Sequence, residues 1–349
     1  MQNMKKLLFV FNPHAGKGHI KDSLCEIIDI FTAGGYEVLA YATQAQGDGQ
    51  NKIVQSGKEY DLIVVSGGDG TLSEAVSALM KLRESEPQLK IPLGYIPAGS
   101  TNDFANSLGI SKKMVSAAKD IMNGEYYDCD IGQFNDKYFV YVAGFGAFTD
   151  VSYMTPQSIK NKIGHAAYIV EALKSLPKIS GQTVTVEHDG ETFTDSFIVG
   201  LISNSRSIGG MKKLIAKDVV FDDGMFEVVL ARTPENAIEL SSLIANAATN
   251  KLKDKNFVTF KTSKVTFTSQ SDIPWTTDGE AGGTHRNVTI INHRQAVRFM
   301  LKNDDLCSEQ HAAQTDAIHK NVRDTVTGNF EPASENSDYV IEDQNDIEN

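Results

Sequence analysis

Paired cysteines, long apolar runs and the core of a secretory signal are all missing from this chain. Cys25, Cys129 and Cys307 are its three cysteines, and they are scattered with no paired spacing. That excludes a disulfide framework and a thiolate zinc site, and it fits a reducing cytoplasm. No window approaches the ~18 consecutive apolar residues of a membrane span. The opening "MQNMKKLLFVF" sets lysines ahead of apolar residues, but the run from Leu7 to Phe11 stops at Asn12-Pro13. It is too short for a signal-peptide core, so any membrane contact is expected to be peripheral.

Negative charge is plentiful but unevenly placed. The formal net charge is -12, and residues 303–349 hold 12 acidic side chains against Lys320 and Arg323 alone. Ten of the twelve net charges therefore sit in that stretch, and the body is nearly neutral. Overall acidity is thus no argument against approach to an anionic bilayer. The stretch is polar, poor in aromatics and without periodicity, and it reads as a disordered, solvating tail.

The chain has 349 residues, 41% of them hydrophobic, enough for about two domains with their own cores. Over 6–11, 37–42, 61–65 and 92–96, short apolar runs read as strands. Helical patterns over 20–33, 72–82 and 115–122 alternate with them. Such alternation predicts a parallel sheet covered by helices. From 128 the pattern becomes strand-rich: 128–133, 138–143, 183–188, 192–202, 225–232, 257–262, 264–268, 288–292 and 296–301. Helices are expected at 158–176 and 235–246. The second half is therefore read as an antiparallel sandwich or barrel-like sheet. The expected divisions are 1–126, 127–293, a last strand at 294–302 returning to the first domain, and the tail at 303–349.

Four segments at strand ends carry the chemistry. "FNPHAGKG" follows the first strand, and Gly16 and Gly18 let the backbone turn sharply toward a ligand. It lacks the Gly-x-x-x-x-Gly-Lys-Ser/Thr spacing of a P-loop. In "SGGDGT", Gly67 and Gly68 can offer amides to a phosphate, Gly70 frees the backbone, and Thr71 can cap the following helix. Asp69 is the informative residue. A carboxylate beside bound phosphate is repulsive unless a cation intervenes, and Mg²⁺ favours one or two carboxylates plus water and phosphate oxygens. "PLGYIPAGSTNDFANSLGI" repeats the theme with Gly99, Ser100, Thr101, Asn102 and Asp103. Ligands collect outside the carboxyl ends of parallel strands, so two such aspartates point to a magnesium–nucleotide site. "IPWTTDGEAGG" places Glu280 among glycines. It is either an ordinary hairpin turn or the source of a general base for attack on a γ-phosphate.

Together these segments resemble the soluble bacterial diacylglycerol kinase family, whose catalytic domain is shared with sphingosine and ceramide kinases. The resemblance covers residues 5–301. It rests on Asn12-Pro13 with Gly16, then Gly67 to Thr71, then 97–103, then Asp278-Gly279-Glu280. It implies an α/β fold: an N-terminal three-layer α/β nucleotide-binding domain similar to NAD kinases and phosphofructokinases, plus a C-terminal β-sandwich domain for lipid. By resemblance, ATP would be contacted by Asn12, Pro13, His14, Ala15, Gly16, Thr43, Gly67, Gly68, Asp69, Gly70, Thr71, Leu72, Ser73 and Ser100. Asp69 and Asp103 would organise catalytic Mg²⁺, and Glu280 would be the base. "VVFDDGMFEVV" resembles a structural Mg²⁺ loop in which the Asp223 side chain and the carbonyls of Val220 and Met225 hold the ion. "YMTPQSIKNKIGHAAYIVEAL" resembles a helix near the lipid domain, although an ordinary amphipathic helix would read the same way.

The family usually has Asn where Ser73 stands and Thr where Ser100 stands. It often has Lys at the position of His165, and the acidic tail is outside its pattern. The implied reaction is transfer of the γ-phosphate of ATP to a lipid hydroxyl, diacylglycerol to phosphatidic acid by default. Phosphatidylglycerol, sphingosine, ceramide and NAD are the alternative acceptors. The expected setting is the cytoplasm, with transient contact at the inner face of the membrane. No nucleic-acid partner is expected, and a homodimer is left open.

Overall fold

A computed structural model describes residues 4–146, 181–205, 207–208, 211–212, 219–248, 251–252, 254–304 and 306. The expected helix at 158–176, with His165, and the tail beyond 306 lie outside the described residues.

Strand β1 (Lys5–Phe11) is apolar at five consecutive positions because both of its faces are covered. Leu7, Phe9 and Phe11 pack with Ile20, Ile27 and Phe31 of α1 (Ile20–Ala33) and with Ala117 and Ile121 of α5 (Met114–Met122). Leu8 and Val10 face the other way, toward Ile53 of α2 (Asp48–Ser56) and Leu72, Val76 and Leu79 of α3 (Asp69–Ser85). Strand β3 (Leu62–Gly67) divides in the same manner, Leu62 and Val64 against Ile63 and Val65. With β2 (Tyr36–Ala42) and β4 (Leu93–Pro97) they form a parallel sheet in the order β2-β1-β3-β4, sandwiched between helices. A six-residue helix, α4 (Asp103–Leu108), follows β4.

Two details depart from the sequence-based expectation. The helix expected from 72 begins at Asp69, and its N-cap is Gly68, with extended backbone (φ -87°, ψ -172°). Thr71 therefore lies inside the first turn and does not cap the helix. Helices α2 and α4 were not anticipated.

The remaining strands are β5 (Glu125–Phe134), β6 (Lys137–Phe139), β7 (Val142–Gly146), β8 (Gln182–His188) and β9 (Glu191–Ser203). After them come the short pair β10 (Ser207–Ile208) and β11 (Met211–Lys212), then β12 (Phe226–Arg232), helix α6 (Ala237–Ala248), β13 (Phe257–Thr262), β14 (Lys264–Thr277) and β15 (Glu280–Leu301). Their antiparallel pairing encloses a second core around Trp275, whose ring lies 4.8 Å from Phe145 and 5.3 Å from Phe134 and Phe267. Strands expected separately at 288–292 and 296–301 are one strand, β15, with an irregularity after His293. Gln295 there takes φ 49°, and its N–H is held by Asp130 at 2.7 Å. Conversely, the run at 138–143 splits into β6 and β7, because the amides of Val140, Tyr141 and Val142 turn to the carboxylate of Asp278. Strand β15 pairs antiparallel with β14 and β5 and reaches β4 in parallel at Phe299 and Leu93. The sheet thus runs without a break from β13 to β2.

Candidate active site

The turns after β1, β3 and β4 interlock backbone to backbone. Asn12 N–H reaches Ser66 O at 2.9 Å, and Ala98 N–H reaches Gly67 O at 2.7 Å. At Gly16 (φ 57°) a Cβ would stand 2.4 Å from Ala98 O, and one on Gly99 would stand 2.5 Å from Gly68 Cα. Side chains at either position would drive the turns apart, so glycine here serves close approach as well as turning. Asn102, at φ 54°, closes the third turn by accepting Gly99 N–H at 3.0 Å and donating to Gly99 O at 2.8 Å. Buried Tyr95 donates to Gly67 O at 3.2 Å.

This packing sets Asp69 and Asp103 together at the starts of α3 and α4. The Asp103 N–H donates to Asp69 Oδ2 at 3.3 Å. Asp69 Oδ1 is sealed from solvent and has no hydrogen-bond partner among the described residues. Burial, then the neighbouring Asp103 and, more weakly, Asp278, push the Asp69 carboxyl up to about 6. A buried carboxylate oxygen with no partner is costly unless a proton or cation meets it.

Glu280 arrives from the other half of the chain, at the first position of β15. The preceding turn, Asp278-Gly279, has positive φ at both residues (50° and 77°), the geometry of a two-residue type I′ hairpin. The Asp-Gly hairpin reading and the functional reading are therefore compatible. Glu280 is exposed, yet its Oε1 lies so close to α3 that a Cβ on Gly70 would be 2.6 Å away. Its Oε2 accepts a 3.4 Å contact from Gln46 Nε2. Two carboxylates thus meet at the start of α3, and a third reaches its first turn beside Gly70.

The other expected nucleotide residues are distributed around the same turns. His14 is exposed, and its N–H bonds the Asn12 side chain at 2.9 Å. Pro13 is half-buried, and Ala15 is buried. Thr43, half-buried, follows β2 and donates its N–H to Phe11 O at 2.9 Å. Ser100 is exposed on the third turn. Leu72 is buried in the core beneath the sheet, so its side chain belongs to packing. Ser73 stands near Asp278 and lowers the pKa of its carboxyl. Sequence reasoning overlooked Asp278 as more than a turn former. It also overlooked Glu74, which fixes the loop after Thr43 by accepting Gly47 N–H at 2.7 Å.

Two family models cover the chain. The "diacylglycerol kinase catalytic domain" matches residues 6–134, and the "YegS C-terminal NAD kinase beta sandwich-like domain" matches 142–299. A diacylglycerol kinase of Bacillus subtilis is 32% identical over 282 residues, covering 80% of this chain and 91% of that one. One from Staphylococcus saprophyticus is 30% identical over 302 residues, covering 86% and 96%. The chain belongs to the diacylglycerol kinase family. It is a lipid kinase of that family, with ATP as the co-substrate that a kinase of this kind requires. A crystal structure of a diacylglycerol kinase from Bacillus anthracis shares its fold, with TM-score 0.66 and 20% identity over 87% of this chain and 99% of that one. The α/β nucleotide domain with a β-sandwich-like partner is therefore the fold of this kinase.

Among the described residues no three His, Cys, Asp or Glu side chains form a metal cage. The Asp69 oxygen that lacks a partner among the described residues, beside Asp103, fits a Mg²⁺ ion, which is held by one or two carboxylates together with substrate phosphates. The second expected metal group lies in the loop before β12. Asp223 Oδ1 accepts Met225 N–H at 2.9 Å, its Oδ2 is 3.8 Å from Lys261 Nζ, and Val220 is exposed. Asp130 braces this loop by accepting Gly224 N–H at 2.6 Å. Burial, with Asp223 and Asp222 nearby, raises the Asp130 carboxyl to about 7. Among the described residues no helix is long and apolar enough to cross a membrane.

Proposed function

We propose that this kinase transfers the γ-phosphoryl group of ATP to the free hydroxyl of diacylglycerol, giving phosphatidic acid and ADP. The observation that carries the reading is Glu280 standing beside Gly70 in the first turn of α3, the turn that Asp69 opens. Glu280 takes the proton as the lipid oxygen attacks phosphorus in line and the bond to the β-phosphate oxygen breaks. Amides at the Gly68-Asp69-Gly70 turn receive phosphate oxygens, and Asn12, Thr43 and Ser100 orient the nucleotide. Asp69 and Asp103 hold Mg²⁺, which when bound supplies positive charge against the phosphates. Asp223, with the carbonyls of Val220 and Met225, holds a second, structural ion.

Residues 1–126 and 294–302 serve the nucleotide, and 127–293 receive the lipid. Because the acceptor lies in a bilayer, the enzyme docks transiently at a membrane surface. A transfer assay with labelled ATP against diacylglycerol, phosphatidylglycerol, sphingosine, ceramide and NAD tests the reading. Diacylglycerol is expected to be labelled fastest. Preference for another lipid corrects the substrate, and labelling of NAD alone overturns the lipid assignment.

A further inference from the structure

The hairpin turn before Glu280 is built with more than a hairpin needs. A two-residue type I′ turn accepts Asn-Gly as readily as Asp-Gly, and neither requires a buried charge. Yet Asp278 is only 5% exposed. Its Oδ2 accepts Val140 N–H at 2.7 Å, and its Oδ1 accepts Tyr141 and Val142 N–H at 2.9 and 3.3 Å. Its own N–H returns to Val142 O at 2.8 Å. Ser73, one turn along α3 from Asp69, stands near enough to lower the pKa of the same carboxyl.

One side chain therefore ties the hairpin bearing Glu280 to the link between β6 and β7, with Ser73 of the helix bearing Asp69 nearby. It does so as a carboxylate beside other carboxylates, an arrangement that desolvation and like charge both disfavour. Asn could not replace it in kind, because its NH₂ would face an amide N–H where an acceptor is required.

We propose that Asp278 is a positioning residue, which fixes Glu280 over the start of α3 and so acts on phosphoryl transfer through Glu280. The proposal rests on Glu280 being the base. Ser73, where the family usually has Asn, is the α3 residue whose side chain stands near this carboxylate.

A double-mutant cycle on the full chain tests it, using Asp278→Asn, Glu280→Gln and the pair. The readouts are kcat and KM for ATP with the best acceptor from the lipid panel, plus titration with a fluorescent ATP analogue and Mg²⁺. Asp278→Asn is expected to lower kcat about 10-fold or more, as misplacement of a reacting group does, with KM for ATP changed less than about 2-fold. In the Glu280→Gln background the same substitution is expected to cost under about 2-fold, because the group it positions is gone. Equal losses in both backgrounds, an unchanged kcat, or a loss confined to KM for ATP overturns the proposal alone. Full activity of Glu280→Gln overturns the base assignment and the proposal with it. If Asp278→Asn does not accumulate folded, Asp278→Glu, which keeps the charge but displaces the carboxylate from the three amides, takes its place in the cycle. A loss of about 3-fold, again abolished by Glu280→Gln, supports the proposal, and an equal loss in both backgrounds overturns it.

Discussion

Glu280 is exposed at the end of a hairpin, yet it stands beside the first turn of α3. Glu280→Gln keeps the shape and removes the basic oxygen. It is expected to leave ATP binding nearly intact while transfer falls roughly 10²-fold or more, measured as labelled product against nucleotide titration. Gly16 makes the complementary case for backbone. Gly16→Ala adds a Cβ 2.4 Å from Ala98 O at φ 57°. It is expected to cost roughly 1–3 kcal/mol of stability, read by urea unfolding, and to weaken ATP binding by separating the turns. At this scale much was legible. Asp69 stood out because a carboxylate among phosphate-binding glycines needs a cation. Asp278 did not, because Asp-Gly is a common hairpin turn, and three amides from residues 136 to 138 positions earlier leave no mark in sequence.

Strands were easier to read than helices. Runs such as "LLFVF" and "LIVV" are apolar throughout, as doubly covered parallel strands are. Helix α2 has few buried residues, Gly49 and Ile53, so no apolar stripe marks it. Helix α4 is too short for a period to show, and glycine with aspartate disguised the first turn of α3 as loop. Ion pairing between elements was equally silent in sequence. Asp128 on β5 accepts Arg298 of β15 at 2.7 and 2.9 Å and Lys90, just before β4, at 2.9 Å. Burial alone would raise its carboxyl, but the bonds from Arg298 and Lys90 outweigh it and hold the pKa below the usual range. A depressed carboxylate stabilises the fold above its unfolded pKa, and that contribution is lost as pH falls through the folded value. Asp128→Asn is expected to cost about 1.5–3 kcal/mol near neutral pH. The gap from wild type should close in acid, as measured by denaturant unfolding across pH.

The nucleotide turns carry an electrostatic load that bears on the stability of the whole fold. The Asp69 carboxyl, raised to about 6, is more protonated when folded than when unfolded between that value and its ordinary 3.8. Its contribution to stability is therefore present at low pH and lost as pH rises through about 6. A cation that replaces the proton offsets the loss. Mg²⁺ is expected to raise the thermal midpoint of the metal-free enzyme more at pH 7.5 than at pH 5, followed by scanning fluorimetry. An equal effect at both values would remove Asp69 from ion binding.

The change from alternating β and α to a strand-rich second half was plain in sequence, but the sheet that joins the halves was not. Pairing of β15 with β4 links residues about 200 positions apart, and no local pattern announces such a contact. That one strand sets a timetable for synthesis. The ribosome delivers β1 to β4 early, but the neighbour of β4 is among the last strands made. Until residues near Phe299 emerge, the nucleotide half waits with an open edge, a template for unwanted pairing.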